Sequence, residues 1–178
     1  DLPLPVRIIG KDAFAGNGMI LSVVLPEGLT EIRGGAFNEC SSMASIVLPQ
    51  SLKKISGFQN CASLTSIALP SSIEEIGSLD DYTFAGCNSL TSVIIPSSVK
   101  RMAANAFRRC SGLTSLTICD GAELIDGFGD CTGLTTVIIP SSTKVIGYKA
   151  FHNCASLTSL DIRDGVRSIK GAFMGCTG

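Results

Sequence analysis

Tryptophan is absent from the 178-residue chain, tyrosine occurs twice and histidine once. Charge of one sign is also lacking: 14 basic residues face 15 acidic ones, no stretch concentrates either, and the formal net charge is −1. A nucleic-acid surface needs a basic face that displaces counterions from phosphates, and none is present. The longest aliphatic runs, such as Val137 to Ile139, are of strand size, so no segment is read as inserting into a membrane. No glycine-rich phosphate loop and no C-x-x-C pair occur, and the opening Asp1-Leu-Pro-Leu-Pro lacks the charged and apolar regions of a signal peptide. A mean hydropathy of +0.39 is nevertheless high. It suits many short strands buried on one side.

What is present is a repeat. Cys87-Asn-Ser-Leu-Thr-Ser-Val-Ile-Ile-Pro-Ser-Ser-Val99 recurs from Cys61 to Ile73 and from Cys131 to Thr143. Anchored on Ile9, Ile32, Ile55, Ile76, Met102, Ile125, Ile146 and Ile169, the spacings are 23, 23, 21, 26, 23, 21 and 23 residues. All eight Phe share one column, and six of the seven Pro (Pro3, Pro26, Pro49, Pro70, Pro96, Pro140) share another. Self-similarity at such a period signifies a solenoid of about seven repeats over residues 1–178, one domain. Val6 and Ile9 are in frame at the start, and Cys176-Thr-Gly stops where a further strand is due, so the chain reads as a portion of a longer protein. The spacing varies only between the Ile and Phe columns: Ile55-Ser-Gly-Phe58 and Ile125-Asp-Gly-Phe128 are short, and Ile76 to Phe84 is long. That link is expected on the outside of each coil, bulging at Leu79 to Tyr82.

Within a unit, L-x-x-V-x-I alternates with the period of a strand that buries one face. Leu90, Val93 and Ile95 are expected inward, and Ser92, Ile94 and Pro96 outward, with Pro ending the ladder because it has no N–H. Val99 and Met102 turn back to the core. A-F-x-x-C reads as one 3₁₀ or α turn. Each coil then supplies one strand, and the strands stack in parallel about 4.8 Å apart.

The unit I-G-x-x-A-F-x-x-C-x-S-L-T-S-V-x-I-P-S-S-V closely resembles the BspA-type (Treponema-like) leucine-rich repeats. The resemblance covers essentially the whole chain. Departures are Asn17 in place of Cys, and Cys119 and Arg163 in place of Pro. It implies an α/β leucine-rich-repeat solenoid, right-handed and mostly β, with a parallel sheet of about seven strands on the concave face and short 3₁₀ or helical turns outside. It further implies a cell-surface or secreted location, and adhesion to host matrix proteins and other cells.

Seven of the eight Cys form one column from Cys40 to Cys176, so their Cβ vectors run parallel, against the ~90° torsion of a disulfide. They are expected as reduced, buried thiols, with Cys119 as the reactive exception. His152 sits at a variable position and reads as a surface residue, not a base. Asp120, Glu123, Asp126 and Asp130 miss the spacing of a calcium loop and read as a solvated acidic edge. Gly77 and Gly147 are expected to serve a tight turn. No catalytic residue, cofactor or metal is assigned, and oligomeric state is left open. The outward strand positions form a row: Val24, Val47, Ala68, Ile94, Thr117, Ile138 and Asp161, with Arg163 beside it. Uncharged and small or β-branched except at Asp161, the row is expected either to bind a protein or glycan ligand or to reflect only the strand preference of such residues.

Overall fold

The structure, a computed structural model, describes residues 5–78 and 81–178. Pro3 and the Leu79 and Asp80 part of the expected bulge lie outside the described residues.

Most coils supply two short parallel strands, not one. The first ladder contains the L-x-x-V-x-I segments: Ser22–Val24, Ser45–Val47, Ser92–Ile95, Ser115–Ile118, Thr136–Ile139 and Ser159–Ile162. The second contains the anchoring isoleucines: Ile8–Ile9, Glu31–Ile32, Lys54–Ile55, Glu75–Ile76, Arg101–Met102, Leu124–Ile125, Val145–Ile146 and Ser168–Ile169. Two residues are too few to show a period of two, which is why alternation exposes only the first set.

The expected sheet of seven strands is not continuous. The first set pairs as three separate couples, and the coil between them joins through one bridge, Ser66 to Ser92. Full pairing (Ser22 with Ser45, Ser92 with Ser115, Thr136 with Ser159) occurs between coils offset by 23 residues. Where the offset falls to 21 or rises to 26, the ladder lapses or shrinks to that bridge. The longer ladder is the second one, with five strands from Ile8–Ile9 to Arg101–Met102 and three more from Leu124–Ile125.

The A-F-x-x-C segments are not helical. Among the described residues there is no helix. The turn hydrogen bonds run from residue i+3 to i, as in a 3₁₀ helix, but only at alternate positions: Ala36 N–H to Arg33 O, Asn38 to Gly35, Cys40 to Phe37. The intervening Phe37 and Glu39 N–H groups donate instead to Gly57 O and Gln59 O of the next coil, at 2.6 and 2.7 Å. A 3₁₀ helix needs consecutive bonds of its own. Here every second donor is spent on the neighbouring coil. The residue two after Phe is left-handed in each coil, for example Gly16, Asn60 and Asp130, which turns the chain toward the next strand.

The core is a set of columns. Phe14, Phe37, Phe58, Phe84, Phe107, Phe128, Phe151 and Phe173 stack with centroids 5.0–5.5 Å apart and ring planes within 19° of parallel. The backbone pitch of about 4.8 Å imposes that face-to-face order, and tilt and offset take up the small excess. Leu90, Val93, Ile95, Val99 and Met102 are buried as expected. Proline is a correction: Pro49, Pro70, Pro96 and Pro140 are buried, not outward. Each interior proline carbonyl accepts from the N–H three residues on (Val99 to Pro96, 3.2 Å), so the ring sits at the start of a tight turn folded over the core. The Ile-to-Phe link is likewise not wholly external, since Ser56 and Gly57 of a shortened coil are buried.

Candidate functional site

The first ladder presents its alternate residues to solvent. Val24, Val47, Ile94 and Ile138 are 78, 57, 57 and 45% exposed, and Ala68, Thr117, Asp161 and Arg163 are exposed as well. Register brings them together: Val24 lies beside Val47, Ile94 beside Thr117, and Ile138 beside Asp161. Ala68 belongs to no strand, so the row thins in the third coil. Asp161 and Arg163 form an exposed ion pair at 3.8 Å, and this end of the row is charged. The last strand, Ser159–Ile162, exposes all four residues, because no coil packs beyond it among the described residues.

The threonines that precede these strands settle the backbone. Thr65, Thr91, Thr114 and Thr158 each donate a hydroxyl to the preceding coil, to Ala44 O, Thr65 O, Thr91 O and Thr135 O, at 3.3–3.4 Å. The face is therefore built on a hydroxyl ladder as well as on amides, and its apolar side chains project from a fixed base.

A second surface was not singled out by motif. On the isoleucine ladder, Glu31, Lys54, Glu75 and Arg101 alternate in sign at matching register. Lys54 Nζ lies 3.4 Å from Glu75 Oε2, and Glu75 also pairs with Arg101. In the adjoining column Glu74 takes Lys100 at 2.9 Å and Lys53 at 3.7 Å. The hydrogen bond from Lys100, then its charge, holds the Glu74 carboxyl below its ordinary range. These exposed pairs contribute little each, but alternation cancels the charge along the face. Reading charges down the repeat columns would have found it.

All eight cysteines are free; Cys40, Cys61, Cys87, Cys110, Cys131 and Cys154 are buried, whereas Cys119 and, against the expectation for its column, Cys176 are half-buried. Burial pushes the Cys110 and Cys154 thiols up to about 12. Among the described residues no three potential ligands gather into a metal site. His152 is not a free surface residue: it is half-buried, with Nδ1 3.7 Å from Asp130 Oδ1. The expected solvated acidic edge is also corrected. Asp120 and Glu123 are exposed, but Asp126 and Asp130 are half-buried. Burial opposes ionisation of Asp130, yet hydrogen bonds from Arg108 Nε (2.9 Å) and Asn153 Nδ2 (3.0 Å), with the charges of Arg108 and His152, hold it below the ordinary carboxylate range. Asp126 has no such cation and is raised to about 6 by burial, against one hydrogen bond from Gly127 N–H. Gly77 is left-handed as a turn requires, but Gly147 is not: a Cβ there would collide with the Asp126 carboxylate. Gly147 serves close approach.

The BspA type leucine rich repeat region matches residues 7–127 and 125–178, in six copies. Among solved structures, the T. pallidum leucine rich repeat protein TpLRR is similar over 99% of this chain and 73% of its own, with 30% identity and a TM-score of 0.77. A leucine-rich repeat protein from Eubacterium ventriosum shares the fold at 17% identity and a TM-score of 0.64, over 89% of this chain and 59% of its own. No curated protein matches the chain. Repeat columns, paired parallel ladders and these likenesses agree: the chain belongs to the BspA-type leucine-rich repeat family.

Proposed function

We propose that the chain is a recognition module of a cell-surface or secreted protein, binding protein or glycan ligands in the manner of an adhesin through the face of the first ladder. The observation that carries this reading is the row Val24, Val47, Ile94 and Ile138. These exposed apolar side chains project from one face, Val24 beside Val47 and Ile94 beside Thr117, with small Ala68 between those couples and Asp161 and Arg163 at one end. Apolar exposure repeated along one face marks interaction surfaces. The family's association with surface location and ligand binding points the same way, and it carries no catalytic role. On this reading the face is the concave side of a right-handed solenoid.

The test is binding to immobilised, purified matrix proteins and neutral glycans by the wild type and by the double variant Val47→Asp/Ile94→Asp. Both residues point to solvent, so the variant keeps the fold and its thermal midpoint. Loss of binding supports the face, and unchanged binding removes it.

A second reading is a structural spacer that presents other domains or self-associates, with the exposed Met19 and Met174 as its contacts. Sedimentation equilibrium distinguishes it. A concentration-dependent mass that Met19→Asp and Met174→Asp abolish supports the spacer.

A further inference from the structure

Both tyrosines of the chain stand at the A-F-x-x-C turns, away from the apolar row, and each lines a cleft. One cleft, of about 240 Å³, is bounded by Asn105, Arg108, Asp130, Tyr148, Lys149 and His152. The other, of about 210 Å³, is bounded by Asn60, Tyr82, Arg108 and Arg109. Arg108 belongs to both, so the two form one edge.

Three permanent cations, Arg108, Arg109 and Lys149, face one carboxylate there, Asp130, in a chain whose formal charge is −1. Asp130 does not cancel them. It is held by Arg108 Nε and Asn153 Nδ2, and this fixes the guanidinium with its two Nη groups unpartnered among the described residues. Arg109 makes no ion pair among the described residues. Lys149 Nζ stands 5.2 Å from the centroid of the exposed Tyr148 ring.

The backbone adds an independent observation. Arg109 and Lys149 are left-handed, with φ of 62° and 63°. Other coils mostly place Gly, Asn or Asp at these columns, as at Gly16, Gly35, Asn60, Gly86, Asn153 and Gly175. Those residues tolerate the conformation, whereas a long side chain is strained in it, as at Arg109, Lys149 and also Glu39. Neither side chain packs into the core, so stability does not account for them.

We propose that this turn edge binds an acidic carbohydrate, a chain of sugar rings bearing sulfate or carboxylate groups. Arg108, Arg109 and Lys149 hold the anions, and Tyr82 and Tyr148 offer faces to the rings. A planar guanidinium matches sulfate and carboxylate oxygens two at a time. Tyrosine supplies a flat apolar surface with a polar tip, suited to the C–H face of a sugar. Each cleft is of sugar-ring scale, and Arg108 between them spans two rings. An acidic peptide fits less well: it can meet the same cations, but it offers no sugar-ring face to the two tyrosines, and strand addition would need an open edge. Here the Phe107, Arg109 and Asn153 N–H groups already donate to Gly127 O, Gly129 O and Met174 O of the next coil.

The experiment measures binding of heparin (sulfate and carboxylate), hyaluronan (carboxylate alone), dextran (neutral) and poly-glutamate to the whole chain. Saturable binding of heparin that weakens with salt is expected, with dextran silent. Hyaluronan binding assigns the carboxylate as sufficient, and its absence assigns the sulfate. Arg109→Gly/Lys149→Gly removes both charges and relieves both left-handed residues. It is expected to weaken heparin binding by about tenfold or more while the thermal midpoint stays or rises. Tyr148→Ala is expected to weaken binding without changing the salt dependence. Val47→Asp/Ile94→Asp leaves heparin binding intact, which separates this edge from the apolar row. The inference is overturned if heparin and hyaluronan both fail to bind, if the glycine double variant binds as the wild type does, or if poly-glutamate displaces heparin equally well.

Discussion

Cys87 donates its thiol hydrogen to the carbonyl oxygen of Phe58, one coil earlier and 3.2 Å from the sulfur. The same relationship joins Cys40 to Phe14, Cys61 to Phe37, Cys110 to Phe84, Cys131 to Phe107, Cys154 to Phe128 and Cys176 to Phe151, at 3.1–3.4 Å. The two most regular columns of the repeat are thus one device. The phenylalanine ring stacks on its neighbours, and its carbonyl anchors the next coil through sulfur. A disulfide or a metal would take the hydrogen away from that role.

The thiols are therefore expected to be protected in the folded state. The neighbouring Cys61 thiol and then burial push the Cys87 thiol well above its ordinary value, and burial does the same to Cys131. A thiol-reactive chromophore at neutral pH should label the half-buried Cys119 and Cys176 first and the six buried thiols only on unfolding. Cys87→Ala should lower the unfolding free energy by about 1–2 kcal/mol, since it removes a hydrogen bond and leaves a small void. Rapid labelling of several column thiols in native buffer would contradict the ladder.

Position along the aromatic stack should set the cost of breaking it. Phe107 is fully buried between Phe84 and Phe128, so Phe107→Ala should cost about 3–5 kcal/mol. Phe14 is 43% exposed at the end of the stack, and Phe14→Ala should cost well under half as much. Urea unfolding of the two variants reads the difference, and equal costs would show that the stack is not the core.

Asp126 gives the pH dependence a defined sign. Its folded-state value is raised from 3.8 to about 6, so between those values the native state holds more protons than the unfolded one. Its contribution to stability is greatest below about pH 4 and is lost as pH rises through about 6. Asp126→Asn should be more stable than the wild type by about 1 kcal/mol at pH 7.5 and equal to it near pH 4, with the shift discounted for partial solvent screening. Thermal midpoints at the two pH values test this. A variant no more stable at pH 7.5 would refute it.

Backbone handedness predicts two opposite effects. Arg109→Gly should stabilise the chain by about 1 kcal/mol, because φ is 62° and the side chain is exposed. Gly57→Ala should destabilise it by about 2 kcal/mol or more: φ is 81°, and the added Cβ would overlap the Ala36 amide nitrogen. Chemical denaturation of both variants settles the signs.

The repeat, the inward columns at Leu90, Val93, Ile95 and Val99, the reduced thiols and the exposure of Val24, Val47, Ile94 and Ile138 were all legible in residue order. They were legible because each depends on a local period, two within a strand and about 23 between coils. The two-residue isoleucine strands were not, because they are too short to alternate. Nor was the burial of Pro96, because a proline at a strand exit reads as outward until the turn beyond it is seen to fold over the core.

The site residues divide on the same line. Which side chains leave the strand face was fixed by alternation alone. That Arg108, Asp130, Asn153 and His152 meet depended on stacking three successive coils, since the residues lie about 22 apart and share no motif. The number of coils, their period and the inward Leu, Val, Ile, Phe and Cys columns were determined by the sequence by itself, because each of these buried positions repeats the same steric demand. The gaps in the first ladder, the turns in place of helices, the half-buried Asp126 and the cationic edge were decided only in the tertiary structure. There each amide, carbonyl and charge takes its partner from the neighbouring coil, and no single repeat contains that neighbour.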